Sequence, residues 1–149
     1  VNITITTDAS YYNQHKVGAY AFWISTPVGK YRKSGVFKER VIDSTDAEFK
    51  CILNALHYAT TKFNTLIKII VNTDSMSVVD IVNKNKFYKK KRNILLKTYN
   101  DLKIKLNCEI EFRHVKGHAP SVGKRNWVNN WCDKEAKKEV KKYLKNKFG

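Results

Sequence analysis

The chain opens with strict alternation. Val1, Ile3 and Ile5 take turns with Asn2, Thr4 and Thr6, the period-two pattern of a strand with one buried face. This predicts a first strand ending near Asp8. Val17 to Ile24, rich in aromatic and β-branched residues, predicts a second strand. Thr26-Pro27-Val28-Gly29 is a turn signal, and Lys30 to Phe37 returns as a third strand. Three strands joined by short loops make an antiparallel meander. From Thr45 the period lengthens: Ala47, Cys51, Ile52, Ala55, Leu56 and Ala59 recur at helical spacing to about Thr60. Leu66 to Val71 is apolar except for Lys68 and predicts a strand buried on both faces. It ends at Asn72-Thr73-Asp74, and Met76, Val79 and Val82 begin a second helix. Residues 83–92 form a basic connector, and Ile94 to Leu106 predicts a further helix. Cys108, Ile110 and Phe112 alternate with Glu109, Glu111 and Arg113 as a fifth strand. After a Gly- and Pro-containing loop over 114–126, Val128, Cys132, Ala136, Val140 and Leu144 mark a long amphipathic helix. Its other face carries seven lysines beyond Asp133. With no repeat and no linker, the order βββαβα(α)βα implies one domain over 1–149, a mixed sheet with helices on its faces.

Length and composition agree with a packed core: 149 residues, 42% of them hydrophobic. Charge changes the picture more. Twenty-nine basic side chains against 13 acidic ones leave a net charge of +16, a self-repulsion that a polyanionic partner relieves. Nucleic acid is the first candidate and an anionic membrane surface the second; a generally lysine-rich surface is the ordinary alternative. Cys51, Cys108 and Cys132 are odd in number and widely spaced, which argues against a disulfide framework and against a cysteine zinc site. No apolar run reaches the roughly 18 residues of a spanning helix, and no signal-peptide pattern is present. A reducing, cytoplasm-like compartment and a monomer are the default expectations.

Four acidic residues stand apart from the surface charge. Asp8 and Asp74 are placed at the ends of strands, where chemistry gathers in open α/β sheets. Glu48 is expected in the first turn of the first helix and Asp133 in the first turn of the last. Clustered carboxylates repel one another unless cations lie between them, and an all-oxygen donor set favours Mg²⁺ or Mn²⁺ over zinc. Each also has an ordinary reading. Asp74 or Ser75 is positioned to cap the next helix. Thr45-Asp46-Ala47-Glu48 fits a capping box. Asp133 has Lys137 one turn on.

These acids meet a further set of motifs. Thr7-Asp8-Ala9-Ser10, Glu48, Thr73-Asp74-Ser75, His114-Val115-Lys116-Gly117-His118-Ala119 and Asn129-Asn130-Trp131-Cys132-Asp133 occur in that order along nearly the whole chain. In them the chain resembles the type 1 ribonuclease H family; the Lys-Gly-His-Ala segment followed by Asn-x-x-Cys-Asp is the most specific part. The resemblance implies an RNase H-like α/β fold, with a five-stranded mixed sheet (three antiparallel strands, then two parallel) and helices on both faces. It implies endonucleolytic cleavage of the RNA strand of RNA–DNA hybrids with two Mg²⁺ ions, Mn²⁺ substituting. By position, Asp8 bridges both metals, Glu48 and Asp74 complete the one on the leaving-group side, and Asp133 holds the one that activates water. Two cations about 3.5–4 Å apart suit that chemistry. His118 matches a mobile-loop histidine that assists proton transfer or product release, its ordinary reading being an exposed loop residue. Asn129 matches an asparagine near the scissile phosphate, with helix capping as the alternative. Ser10, Ser44 and Thr45 fall along the RNA and DNA contacts.

The chain departs from the family pattern in places. Ala9 stands where glycine is usual beside the RNA path. Asp43, five residues before Glu48, replaces a threonine that commonly holds a DNA phosphate, and a carboxylate repels one. The loop between His118 and Asp133 looks several residues longer than usual. A Trp-rich basic protrusion is missing; Lys84, Lys86, Lys89, Lys90, Lys91 and Arg92 offer a substitute phosphate contact or a merely solvated loop. Three other readings compete: a DNA-directed nuclease on the same fold, such as a resolvase or exonuclease; a non-catalytic nucleic-acid-binding module; and a small-molecule enzyme. The ordered motifs disfavour the first, the intact acids and histidine the second, and the lack of a glycine-rich phosphate loop the third.

Overall fold

The structure, a computed structural model, describes residues 1–84, 90–115 and 123–149, with side chains given except at 84, 90–93 and 123–126. Its elements run β1 (Asn2–Tyr12), β2 (Val17–Thr26), β3 (Gly29–Val36), α1 (Ser44–Lys62), β4 (Lys68–Thr73), α2 (Met76–Lys84), α3 (Lys90–Leu106), β5 (Glu109–His114) and α4 (Gly123–Phe148). The strands form one five-stranded sheet in the order β3-β2-β1-β4-β5. β1, β2 and β3 pair antiparallel, while β4 lies parallel to both β1 and β5. This is the mixed sheet that the resemblance implies.

Alternation along β1 sorts the two faces. Ile3 and Ile5, with Phe22, Ile24, Ile69 and Val71 of the neighbouring strands, pack against Phe49, Ile52 and Leu56 of α1 and Leu96, Tyr99 and Leu102 of α3. The opposite face presents Ala21 and Trp23, covered by Cys132 and Ala136 of α4. The small Ala21 lets α4 approach the sheet closely. Helices therefore lie on both faces.

Several boundaries differ from the sequence reading. β1 does not stop near Asp8: Ala9 to Tyr12 go on pairing with Val17 to Tyr20. The pairing of β1 with β4, however, ends at Thr6 and Asn72. Asp8 thus sits just past the end of the parallel pair although its own strand continues. β4 is not buried on both faces. α4 covers β1, β2 and β3 rather than β4, so Lys68 stays half-exposed and pairs with Glu111 at 3.3 Å. α3 takes Lys90, Lys91 and Arg92 into its first turn, a segment expected to be connector. α4 begins at Gly123 and not at Val128, because Trp127 and Trp131 already pack on Trp23, with ring centroids 5.4 and 5.3 Å away. Asp133 accordingly lies in the interior of α4, not in its first turn, and the loop before it is shorter than expected.

Candidate active site

The parallel pair ends in a layer of buried polar residues: Thr6, Thr7, Asp8, Asn72 and Thr73, with Asn129 from α4. Asp8, Glu48 and Asp74 meet there. Each offers one carboxylate oxygen, and the three oxygens lie within 4.8 Å of one another. Asp8 comes from β1, Asp74 follows β4, and Glu48 projects from α1, so the topology assembles them from three separate elements.

Local hydrogen bonding releases these acids from structural duties. The N-cap of α1 is Asp43, whose carboxylate accepts from Asp46 N at 2.8 Å. Asp46 in turn accepts from Ile42 N at 3.0 Å. The start of α1 is therefore fastened by Asp43 and Asp46, not by Thr45 and Glu48. The departure at Asp43 thereby finds its explanation: a carboxylate at an N-cap favours the helix start. Glu48 instead accepts the backbone N–H of Ala9 through Oε1 at 3.1 Å, and the same N–H donates to Asp8 Oδ1 at 2.9 Å. Ser75 caps α2, its Oγ accepting from Val78 N at 3.3 Å. His114, unremarked in the sequence as a site residue, donates from Nε2 to the carbonyl of Asp74 at 3.1 Å and ties the end of β5 to the site. The Ala9 methyl packs with Phe37, Val41, Ala47 and Cys51, on the α1 side of the sheet, so it does not add bulk beside Asp8.

Electrostatics show what the cluster suits. Burial, and then the nearby Asp74 charge, raise the Asp8 carboxyl from 3.8 to about 8, with Asp133 adding to the rise. Burial and the charges of Asp8 and Asp74 hold Glu48 well above the usual carboxylate range. Glu48 Oε2 is buried with no hydrogen-bond partner. Buried, mutually repelling, under-bonded oxygens are what a hard divalent cation relieves. The donor set fits such an ion.

Asp133 is not one of the three converging ligand atoms. It stands beside Asp8 from α4, and its Oδ2 accepts from Lys137 Nζ at 3.1 Å, so the ion pair and the proximity to the site coexist. Asn129 lies one turn before Asp133, inside the helix, which rules out capping; its Oδ1 is buried and unpartnered. Ser10 falls two residues past Asp8 on the same face of β1, half-exposed. Ser44 is exposed at the start of α1 and Thr45 half-buried next to it. His118, Lys86 and Lys89 lie outside the described residues, as do the side chains of Lys90, Lys91 and Arg92. Two thiols support β1 from opposite faces: Cys51 Sγ lies 3.3 Å from the Asp8 carbonyl and Cys132 Sγ 3.5 Å from that of Thr6. All three cysteines are free.

The family model described as RNase H matches residues 1–141. Among solved structures, the N-terminal RNase H domain of a Mycobacterium tuberculosis protein, fused to maltose-binding protein, superposes with a TM-score of 0.79 at 16% identity, covering 98% of each chain. LC11-RNase H1 in complex with RNA/DNA hybrid gives 0.77 at 15% identity over 95% of this chain and 99% of that one. RNase H1 from the halophilic archaeon Halobacterium salinarum gives 0.73 at 14% over 95% and 99%. At such identities the likeness is one of fold. No curated protein matches the sequence.

Proposed function

Because the chain belongs to the RNase H family, we propose that it is an endoribonuclease that hydrolyses the RNA strand of RNA–DNA hybrids with divalent cations, Mg²⁺ by preference and Mn²⁺ in its place. The convergence of Asp8, Glu48 and Asp74 within 4.8 Å carries this reading. These three hold the cations, and Asp133 completes the set from α4. Bound divalent ions supply a lowered pKa for the attacking water and neutralise the leaving oxygen.

The chain's own residues do the rest. The Ala9 N–H fixes the Asp8 and Glu48 carboxylates in one orientation, so little reorganisation is needed when ions bind. His114 and Ser75 hold the turn that carries Asp74. Asn129 has a buried acceptor one turn from Asp133; rotation of its amide brings an N–H to a phosphate oxygen. His118 serves as the acid–base group. The excess of positive charge attracts the polyanion. Incubation with labelled RNA–DNA, DNA–DNA and RNA–RNA duplexes plus Mg²⁺ tests the proposal. Only the hybrid should be cut; cleavage of the DNA duplex alone would favour the DNA-directed reading.

A further inference from the structure

A second concave site lies where the turn between β1 and β2 meets the β3–α1 connection and the end of α4. Its cavity measures about 300 Å³, and four cations line it: Lys16, Lys38, Arg40 and Lys147. The one acid in its wall, Glu39, is 61% exposed and leans to Lys50 at 3.6 Å. Among the described residues no ion pair neutralises any of the four cations. Aromatic surface completes the wall. The His15 ring stacks on Phe148 with centroids 4.2 Å apart, and Phe148 remains 56% exposed.

The site is built rather than incidental. Lys16 holds a left-handed backbone (φ 54), a conformation for which glycine is the usual choice. Its carbonyl accepts from Val41 N at 3.0 Å, fastening the turn to the β3–α1 connection. A second recess shares Lys16 and Arg40 and reaches Ile42, next to Asp43, the cap of α1. The recess therefore leads from this cavity to the start of the helix that carries Glu48.

Cations without an acidic partner, beside an exposed aromatic stack, are the footprint of single-stranded nucleic acid, whose phosphates follow the charge while a base covers the ring. At about 300 Å³ the cavity is at the small end of ligand sites and suits about one nucleotide. We infer that it receives a single-stranded extension of the nucleic acid bound at the acidic cluster, with a base on the His15–Phe148 pair. The link to a hybrid rests on the proposed function; the strand-binding claim is tested apart from it.

Fluorescence anisotropy in EDTA compares four probes: a blunt hybrid, the same hybrid with a single-stranded tail, a free single-stranded oligonucleotide and a mononucleotide. The tail should tighten binding by the parent protein about tenfold. The variant Lys38→Gln/Arg40→Gln/Lys147→Gln should lose that gain and flatten the salt dependence for the free strand by about two units of log–log slope. Phe148→Ala should lose part of the gain with the slope kept. Cleavage of the blunt hybrid in Mg²⁺ should be unchanged in both variants. If the tail adds nothing, or the triple variant retains the gain and binds the free strand as the parent does, the inference is overturned. It is also overturned if the mononucleotide binds as tightly as the free strand, which would make the cavity a nucleotide site. A protein that binds the free strand through these residues yet neither binds nor cuts the hybrid refutes the proposed function and leaves the strand site standing.

Discussion

Replacing Asp8 by asparagine should stabilise the metal-free protein at alkaline pH while abolishing its activity. Asp8 is 3% exposed, and burial followed by the Asp74 charge lifts its carboxyl from 3.8 to about 8. A group whose pKa is higher folded than unfolded favours folding only while it holds its proton. The contribution is full below about pH 4, declines as the pH climbs, and is lost above about pH 8. At about 1.4 kcal/mol per pH unit, the rise from 3.8 to about 8 sets a ceiling of roughly 6 kcal/mol. Relaxation around the ionised group, and protons shared with Glu48, reduce the realised loss to about 2–3 kcal/mol. Asparagine keeps the shape and has no charge, so the variant escapes the loss. For a chain of 149 residues this corresponds to a Tm advantage of about 5–10 °C near pH 8.5, shrinking towards zero near pH 4. Thermal melts followed by circular dichroism in EDTA across that range measure it. Adding Mg²⁺ should narrow the gap by stabilising the parent's folded state. An Asp8→Asn protein no more stable than the parent at alkaline pH, or equally more stable at every pH, would refute the electrostatic account.

Other expectations follow from the same geometry. Glu48→Gln should abolish cleavage with little change in Tm at acidic pH and a gain at alkaline pH, where the buried Glu48 carboxyl would otherwise have to ionise, whereas Asp43→Ala should cost about 1 kcal/mol of stability by removing the α1 cap; denaturant melts and a cleavage assay separate the two, and a large stability loss in Glu48→Gln would return the capping role to that residue. His118→Ala should lower kcat by at least about tenfold, with KM and Mg²⁺ dependence little changed; steady-state kinetics decide, and a full-rate variant removes the acid–base role. Neutralising Lys89, Lys90 and Lys91 together should flatten the salt dependence of hybrid binding by up to roughly three units of slope; an unchanged slope makes that stretch ordinary surface.

The fold was largely legible because its strands alternate cleanly and its first helix keeps a strict apolar stripe. Asp8, Glu48 and Asp74 were legible for another reason: Asp8 and Asp74 lie in short motifs, Glu48 falls in the first helix between them, and their order along the chain is specific. Boundaries were harder. Ser10, Tyr11 and Tyr12 break the apolar alternation, yet they stay in β1 because β2 supplies partners beyond the point where β4 stops. The early start of α4 depends on Trp127 and Trp131 finding Trp23 across the sheet, a contact that no local pattern announces. Capping by Asp43 and not Thr45 turned on a two-residue shift of the helix start, since aspartate and threonine are both good N-caps. His114 gave no signal because its role is to bond a backbone carbonyl that only the fold brings near. Asp133, read from the motif as an equal fourth ligand, stands beside Asp8 but is shared with Lys137.

The central claim is that the Asp8–Glu48–Asp74 cluster cuts one strand of a hybrid with divalent metal. Labelling each strand of one RNA–DNA duplex in turn and incubating it with the parent protein and Asp8→Asn, in Mg²⁺ and in EDTA, tests it most directly. The account predicts shortening of the RNA strand by the parent in Mg²⁺ alone, with the DNA strand intact and the variant inert in both conditions. Cutting of the DNA strand, or RNA cleavage that persists in EDTA or with Asp8→Asn, would contradict it.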